Sequence, residues 1–356
     1  MHCFFFSSVK FSPAKLLTRT FVLFFCPGIY FTFCICFASY AQTYTAEELC
    51  VLQQSELAHE NTPIGEIKTF CAAATNTENT GAETQDDTSP SRTEADKSYR
   101  LRRLAISPHK SNYVLPLAYN HSPNNEPFND ELNGGELDNM EIEFQISIKV
   151  QLLDNVIGNN GDIFVAYTGQ SWWQAYNSDL SSPFRETNYE PEVFMSFDTQ
   201  WHIFGWDIYQ IAPGFVHESN GRSLPLSRSW NRFFVNLNAE HAQWFINFKP
   251  WYRIPDDEKV DAYDPNGDDN PDIGYYMGNF ELTTGYRSGE HRLSAMLRNN
   301  LRSDNKGAVQ LDWSFPLKFT NNVRGYFQIF SGYGESLIDY NVRTQRISLG
   351  FIVTEY

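Results

Sequence analysis

The stretch EIEFQISIKV (141–150) alternates without a break. Ile142, Phe144, Ile146, Ile148 and Val150 are apolar, while Glu141, Glu143, Gln145, Ser147 and Lys149 are polar or charged. Successive side chains of a β-strand point to opposite faces, so this period of two describes a strand lying between two very different media. The pattern recurs. Trp244, Ile246 and Phe248 stand against Gln243, Asn247 and Lys249, and Ile347, Leu349, Phe351 and Val353 stand against Arg346 and Ser348.

Twelve segments carry this texture: 113–120, 140–152, 161–173, 190–199, 202–219, 229–240, 242–253, 273–287, 290–299, 307–317, 321–333 and 342–356. Their connections sort by length. Those near 121–139, 174–189, 220–228, 254–272, 300–306 and 334–341 are mostly long, those near 200–201, 241, 288–289 and 318–320 are tight, and 153–160 is intermediate. An even strand number with long loops at one end and short turns at the other describes an outer-membrane barrel. Composition agrees, because 16% aromatic residues coexist with 20% charged ones, as expected when only alternate residues face lipid. A secreted β-sandwich could share that composition but would not sort its loops in this way. The expected fold is therefore all-β, a twelve-stranded antiparallel transmembrane β-barrel with a short N-terminal periplasmic extension.

Lys10, Lys15 and Arg19 precede an apolar run from Phe21 to Ala41 that ends in Ser39-Tyr40-Ala41. A basic flank, an apolar segment and small residues at the end describe a secretory signal peptide over 1–41, with a retained anchor as the alternative. Residues 42–105 form the extension, with a capping box at Thr45–Glu48 and a polar, linker-like stretch from Ala72 to Ser98. Only Cys50 and Cys71 lie outside the signal segment. In an exported chain such a pair is expected to form one disulfide. The barrel domain runs from 106 to 356. A net charge of -16 argues against nucleic acid as a partner, which would favour a basic patch.

The loop HESNGRSLPLSRSWN (217–231) joins two neighbouring strands. Opposed residue numbers in an antiparallel pair sum to a constant, and a turn centred on Leu224-Pro225 sets His217 opposite Asn231 or one residue away. Opposed side chains lie about 5 Å apart at Cβ and share a face. Ser219, two residues from His217, shares it too. Asn231 has the parity of Phe233, Val235 and Leu237, which makes this the lipid face. Unpaired polar groups there are costly. Joined as Asn–His–Ser they satisfy one another and form an activated nucleophile, with Ser219 attacking, His217 taking its proton and Asn231 orienting the ring. A site opening outward at head-group level reaches the ester bonds of phospholipids. The plainer reading is that a histidine and a serine simply sit in the head-group zone of a non-enzymatic porin or adhesin barrel.

The same hairpin closely resembles the active-site block of the outer-membrane phospholipase A family. SWWQAYNSDLSSPFRETNYEPE (171–192), KPWY (249–252), DDNPDI (268–273), SGYGESLIDYN (331–341) and ISPHKSNYVLP (106–116) resemble other blocks of that family. The resemblance runs from Ile106 to the C-terminus and leaves the extension unmatched. It implies a calcium-dependent serine hydrolase of the outer membrane that cleaves sn-1 and sn-2 acyl esters of phospholipids and lysophospholipids and is activated by homodimerisation. It also implies His217, Ser219 and Asn231 as the catalytic groups, with the Gly221 amide on the oxyanion. Ca2+ is expected on the carbonyls of Arg222 and Ser227 and on a Ser181 from the partner subunit. Two positions depart from the family pattern. Gly169 stands where relatives place an interface glutamine, and Leu224 stands where an acidic residue would build a second calcium site with Asp269. Residues 264–272, though rich in Asp, lack the EF-hand glutamate and read as a solvated loop. Trp172, Trp173, Trp230 and Trp251 read as interfacial anchors.

Overall fold

The computed structural model describes residues 105–355 except 133, 262, 263 and 265. The expected signal peptide, the capping box, the Cys50–Cys71 pair and nearly all of the 42–105 extension lie outside the described residues.

Twelve long strands close into one antiparallel barrel: β2 (Asn112–Asn120), β3 (Met140–Leu153), β4 (Asp162–Trp173), β5 (Phe184–Ile203), β6 (Trp206–Ser219), β7 (Ser229–His241), β8 (Trp244–Ile254), β9 (Phe280–Ser288), β10 (His291–Asn299), β11 (Gly307–Leu317), β12 (Thr320–Gly332) and β13 (Thr344–Thr354). β13 pairs with β2, and β3 pairs with β4, so the ring has no open side. A short leading strand, β1 (Ile106–Pro108), pairs with the same edge of β3 as β2 does and prolongs that edge.

The alternation acts as expected. On β3, Ile146 is 58% exposed on the outer wall while Glu143 is 1% exposed inside. Tight turns of two residues are set by local backbone chemistry. Phe204 and Gly205 both take positive φ (51° and 85°) between β5 and β6, as a two-residue hairpin turn requires.

Three readings need correction. β5 begins at Phe184 rather than at 190 and its turn falls at 204–205 rather than at 200–201. Its polar opening, FRETN, is strand because Arg185 is held inside the barrel by Glu141 (2.6 Å) and Asp339 (2.5 Å). The segment expected as strand from 273 opens with a short helix, α2 (Ile273–Met277), and β9 starts only at Phe280; a first short helix, α1 (Asn129–Leu132), lies in the loop after β2. Trp172, Trp230 and Trp251 are buried rather than anchored at the interface. Only Trp173 fits that role, being half-buried and stacked on Phe184 (5.4 Å between centroids).

Inside, loop residues Ile273, Met277, Leu337 and Tyr340 pack against Phe164, Val216, Trp230, Phe234 and Trp251. The remaining luminal space is a cavity of about 290 Å³ bordered by charged side chains. A second cluster joins the outer loops, with Phe128, Leu132, Leu137 and Ile338 packed together and Leu180 and Leu226 against them. Leu226 belongs to the 220–228 hairpin loop, so this apolar cap helps fix that loop.

Candidate active site

The β6–β7 ladder sets His217 directly opposite Asn231, with Ser219 opposite Ser229 and Phe215 opposite Phe233. Asn231 lies between Arg232 and Trp230, both buried inside, and shares the outward parity of Phe233, which is 56% exposed. The three expected side chains are thus on the lipid face of one hairpin. His217 Nδ1 and Asn231 Oδ1 are 2.9 Å apart, within hydrogen-bond distance. Ser219 Oγ is engaged differently. It accepts the Gly221 N–H at 3.1 Å, and among the described residues no hydrogen bond joins it to His217. The structure therefore pairs His217 with Asn231, and holds the Ser219 hydroxyl two residues away on the same face.

Gly221 takes φ +64°, and a Cβ there would stand 3.0 Å from the Tyr189 ring. Its amide points at the serine oxygen because of that left-handed turn, a conformation that disfavours any residue with a Cβ.

Several groups that sequence reasoning missed position the loop. Asn220 is buried beside the serine, and its amide serves both ends of the turn: Nδ2 donates to the Leu226 carbonyl (2.9 Å), while Oδ1 accepts the N–H groups of Arg222 (3.3 Å) and Arg228 (2.9 Å). The Arg222 side chain runs inward to Glu186 (3.3 Å) and the Arg185 carbonyl (2.5 Å), and its guanidinium lies over Phe128. Glu218, between the histidine and the serine, turns into the lumen, where it takes hydrogen bonds from Arg232 (2.5 Å) and Trp230 (2.9 Å). Asn270, fully buried, accepts the Ser229 N–H at 3.0 Å, and Arg253 pairs with Asp268 at 2.5 Å. Part of the loop expected to be solvated therefore buttresses the hairpin. The Asn220-Gly221 dipeptide is a turn signal that could have drawn notice; nothing local marks Asn270.

Arg222 and Ser227, the expected calcium-binding positions, lie on opposite arms of the clamped loop. Ser227 Oγ donates to Asp269 (2.6 Å), which also pairs with Lys259. Ser181, with φ +58°, is exposed in the turn after β4, at the same barrel end. Among the described residues, no hydrogen bond joins it to Arg222 or Ser227 of its own chain.

The family model described as "Phospholipase A1" matches residues 90–353, about three quarters of the chain. The chain belongs to the phospholipase A1 family. Phospholipase A1 of Klebsiella pneumoniae is 41% identical over 250 residues, covering 70% of this chain and 82% of that protein. The enzyme of Escherichia coli K12 is 44% identical over 215 residues, covering 60% and 70%. Among solved structures, the outer membrane phospholipase A from Escherichia coli superposes with a TM-score of 0.63 at 38% identity, covering 70% of this chain and 99% of that one. A Salmonella typhi outer membrane phospholipase, a dimer with bound calcium, gives the same TM-score and identity and covers 70% and 93%. As a phospholipase A1, the chain is an ester hydrolase, and its barrel is an outer-membrane barrel of that kind.

Proposed function

We propose that Ser219, His217 and Asn231 hydrolyse the sn-1 and sn-2 acyl esters of phospholipids and lysophospholipids at the outer wall of the barrel, with calcium and a second copy of the chain completing the site. The observation carrying this reading is the His217–Asn231 contact of 2.9 Å on the lipid-facing side. A polar pair there is costly without a task.

Asn231 Oδ1 accepts Nδ1–H and so fixes the tautomer whose Nε2 can take a proton. Being neutral, it orients the ring more than it stabilises an imidazolium. When a lipid ester enters, its carbonyl oxygen takes over the Gly221 N–H, and the Ser219 hydroxyl turns toward His217. Oγ then bonds the carbonyl carbon while its proton passes to Nε2. The oxyanion rests on the Gly221 amide. Collapse breaks the ester C–O bond and the leaving glycerol oxygen recovers the proton from His217. Water repeats the sequence on the acyl-serine.

The groups around the loop fit a calcium ion. The candidate ligands are all oxygens, the donor type calcium takes, and the Asp269 carboxylate, shared with Lys259, lies beside Ser227. The Arg228 guanidinium donates to the Ser227 carbonyl at 2.7 Å, and a second lone pair remains on that oxygen. The carbonyls of Arg222 and Ser227 would hold the ion, with Ser181 of the partner subunit closing the shell. Calcium held there would supply positive charge that stabilises an oxyanion. The calcium-bound Salmonella typhi dimer supports both expectations.

The test is covalent. A long-chain sulfonyl fluoride should label Ser219 in detergent micelles with calcium and fail to label it under a chelator; labelling that ignores calcium removes the calcium reading, and labelling elsewhere removes the nucleophile. Gly221→Ala keeps the N–H but sets a Cβ at positive φ against the Tyr189 ring. It should therefore swing the amide off the oxyanion and lower kcat toward the roughly 10²-fold effect of losing one oxyanion donor, with a stability loss of about 1–2 kcal/mol. Steady-state hydrolysis measured beside urea unfolding checks this, and an unchanged kcat would discard the amide's role.

A further inference from the structure

Tyr189 lies on β5 directly opposite Ser219. Its side chain points outward and is 40% exposed, and its ring edge lies against Gly221, 3.0 Å from where a Cβ would stand. The ring thus covers the residue whose amide holds the serine oxygen. The position opposite Tyr189 on β4 is Gly169, and the space left there is bordered by the Tyr167 ring, 3.5 Å from that glycine's Cβ position. Two phenols therefore line the outer wall beside the nucleophile. Among the described residues, the Tyr189 hydroxyl has no hydrogen-bond partner, and a polar group left unpaired on the lipid face is costly.

We infer that Tyr189 is a specificity-determining residue for the reaction proposed above, its hydroxyl donating to a phosphate oxygen of the bound lipid while its ring forms one wall of the ester cleft. The assignment rests on that reaction. The carbonyl of the scissile ester is matched by the Gly221 amide, so the strongest acceptor a bound phospholipid leaves for a second donor beside Ser219 is its anionic phosphate. A hydrogen bond to a charged acceptor is stronger than one to a neutral ester, so the phenol favours lipids bearing phosphate over simple esters of the same acyl length.

The experiment compares wild type, Tyr189→Phe and Ser219→Ala in calcium-containing detergent micelles on a lysophospholipid and on a phosphate-free monoacyl ester of equal chain length. Tyr189→Phe keeps the ring and removes only the hydroxyl. It should lower the ratio of the two kcat/KM values about tenfold, the effect of losing one charge-assisted bond, and most of the change should appear in KM for the lysophospholipid. An unchanged ratio overturns the inference. So does an equal loss on both substrates accompanied by a loss of dimer in sedimentation, which would assign the hydroxyl to subunit contact. Activity retained by Ser219→Ala would instead overturn the underlying reaction, whatever Tyr189→Phe does.

Discussion

Ser219→Ala should reduce calcium-dependent acyl-ester hydrolysis by about 10⁴-fold or more, because loss of the nucleophile removes the covalent route entirely. The fold should hardly register the change. The serine hydroxyl accepts one hydrogen bond, from Gly221, and such a bond contributes about 0.5–1.5 kcal/mol. Turnover in mixed micelles and the urea midpoint of the same preparation give both numbers. A variant that keeps a tenth of the wild-type rate would mean that Ser219 does not attack, and the site would have to be sought elsewhere on the barrel.

Stability depends on a different set of residues. Arg346, fully buried in the barrel, reaches Glu141 at 2.8 Å and Glu335 at 2.7 Å, and Glu141 in turn holds Arg185, which reaches Asp339. Arg346→Leu would strand the buried Glu335 carboxylate and leave Glu141 with Arg185 as its cation. Breaking one partner out of a buried ion network costs about 3–5 kcal/mol, far more than an intact network contributes over a well-packed apolar one. Urea unfolding in lipid vesicles should show that loss, and Arg346→Leu combined with Glu335→Leu should lose less than the single change, because Glu335 takes its hydrogen bonds from Arg346. Arg287→Leu, which removes the partly exposed contact with Glu240 (3.2 Å), should cost about 1 kcal/mol or less. If Arg346→Leu matched it, the luminal network would not hold the outer loops in place.

The strands and the register at the site were legible in the sequence because lipid on one side and charge on the other leave a period-two trace, and because a short hairpin fixes which residues face each other. The opposition of His217 and Asn231 needed nothing more. The opening of β5 was not legible. Arg185, Glu186 and Asn188 look like loop residues locally, and they are buried because their partners arrive from β3 and from the loop before β13, more than a hundred residues away in the latter case. Trp230 and Trp251 misled for the same reason: tryptophan suits a membrane interface, but here a luminal arginine, Arg232, stacks against both. Asn220 and Asn270 shape the loop through backbone contacts that no spacing rule encodes.

The outer loops send Ile273, Met277, Leu337 and Tyr340 down into the barrel to pack against Trp230 and Phe234. A hollow cylinder of this strand number set into a permeability barrier would be a hazard to its owner; one filled from above is not. That filling narrows the lumen of the described residues to the cavity of about 290 Å³, which works against leakage of larger solutes and leaves the outside wall free for the proposed chemistry.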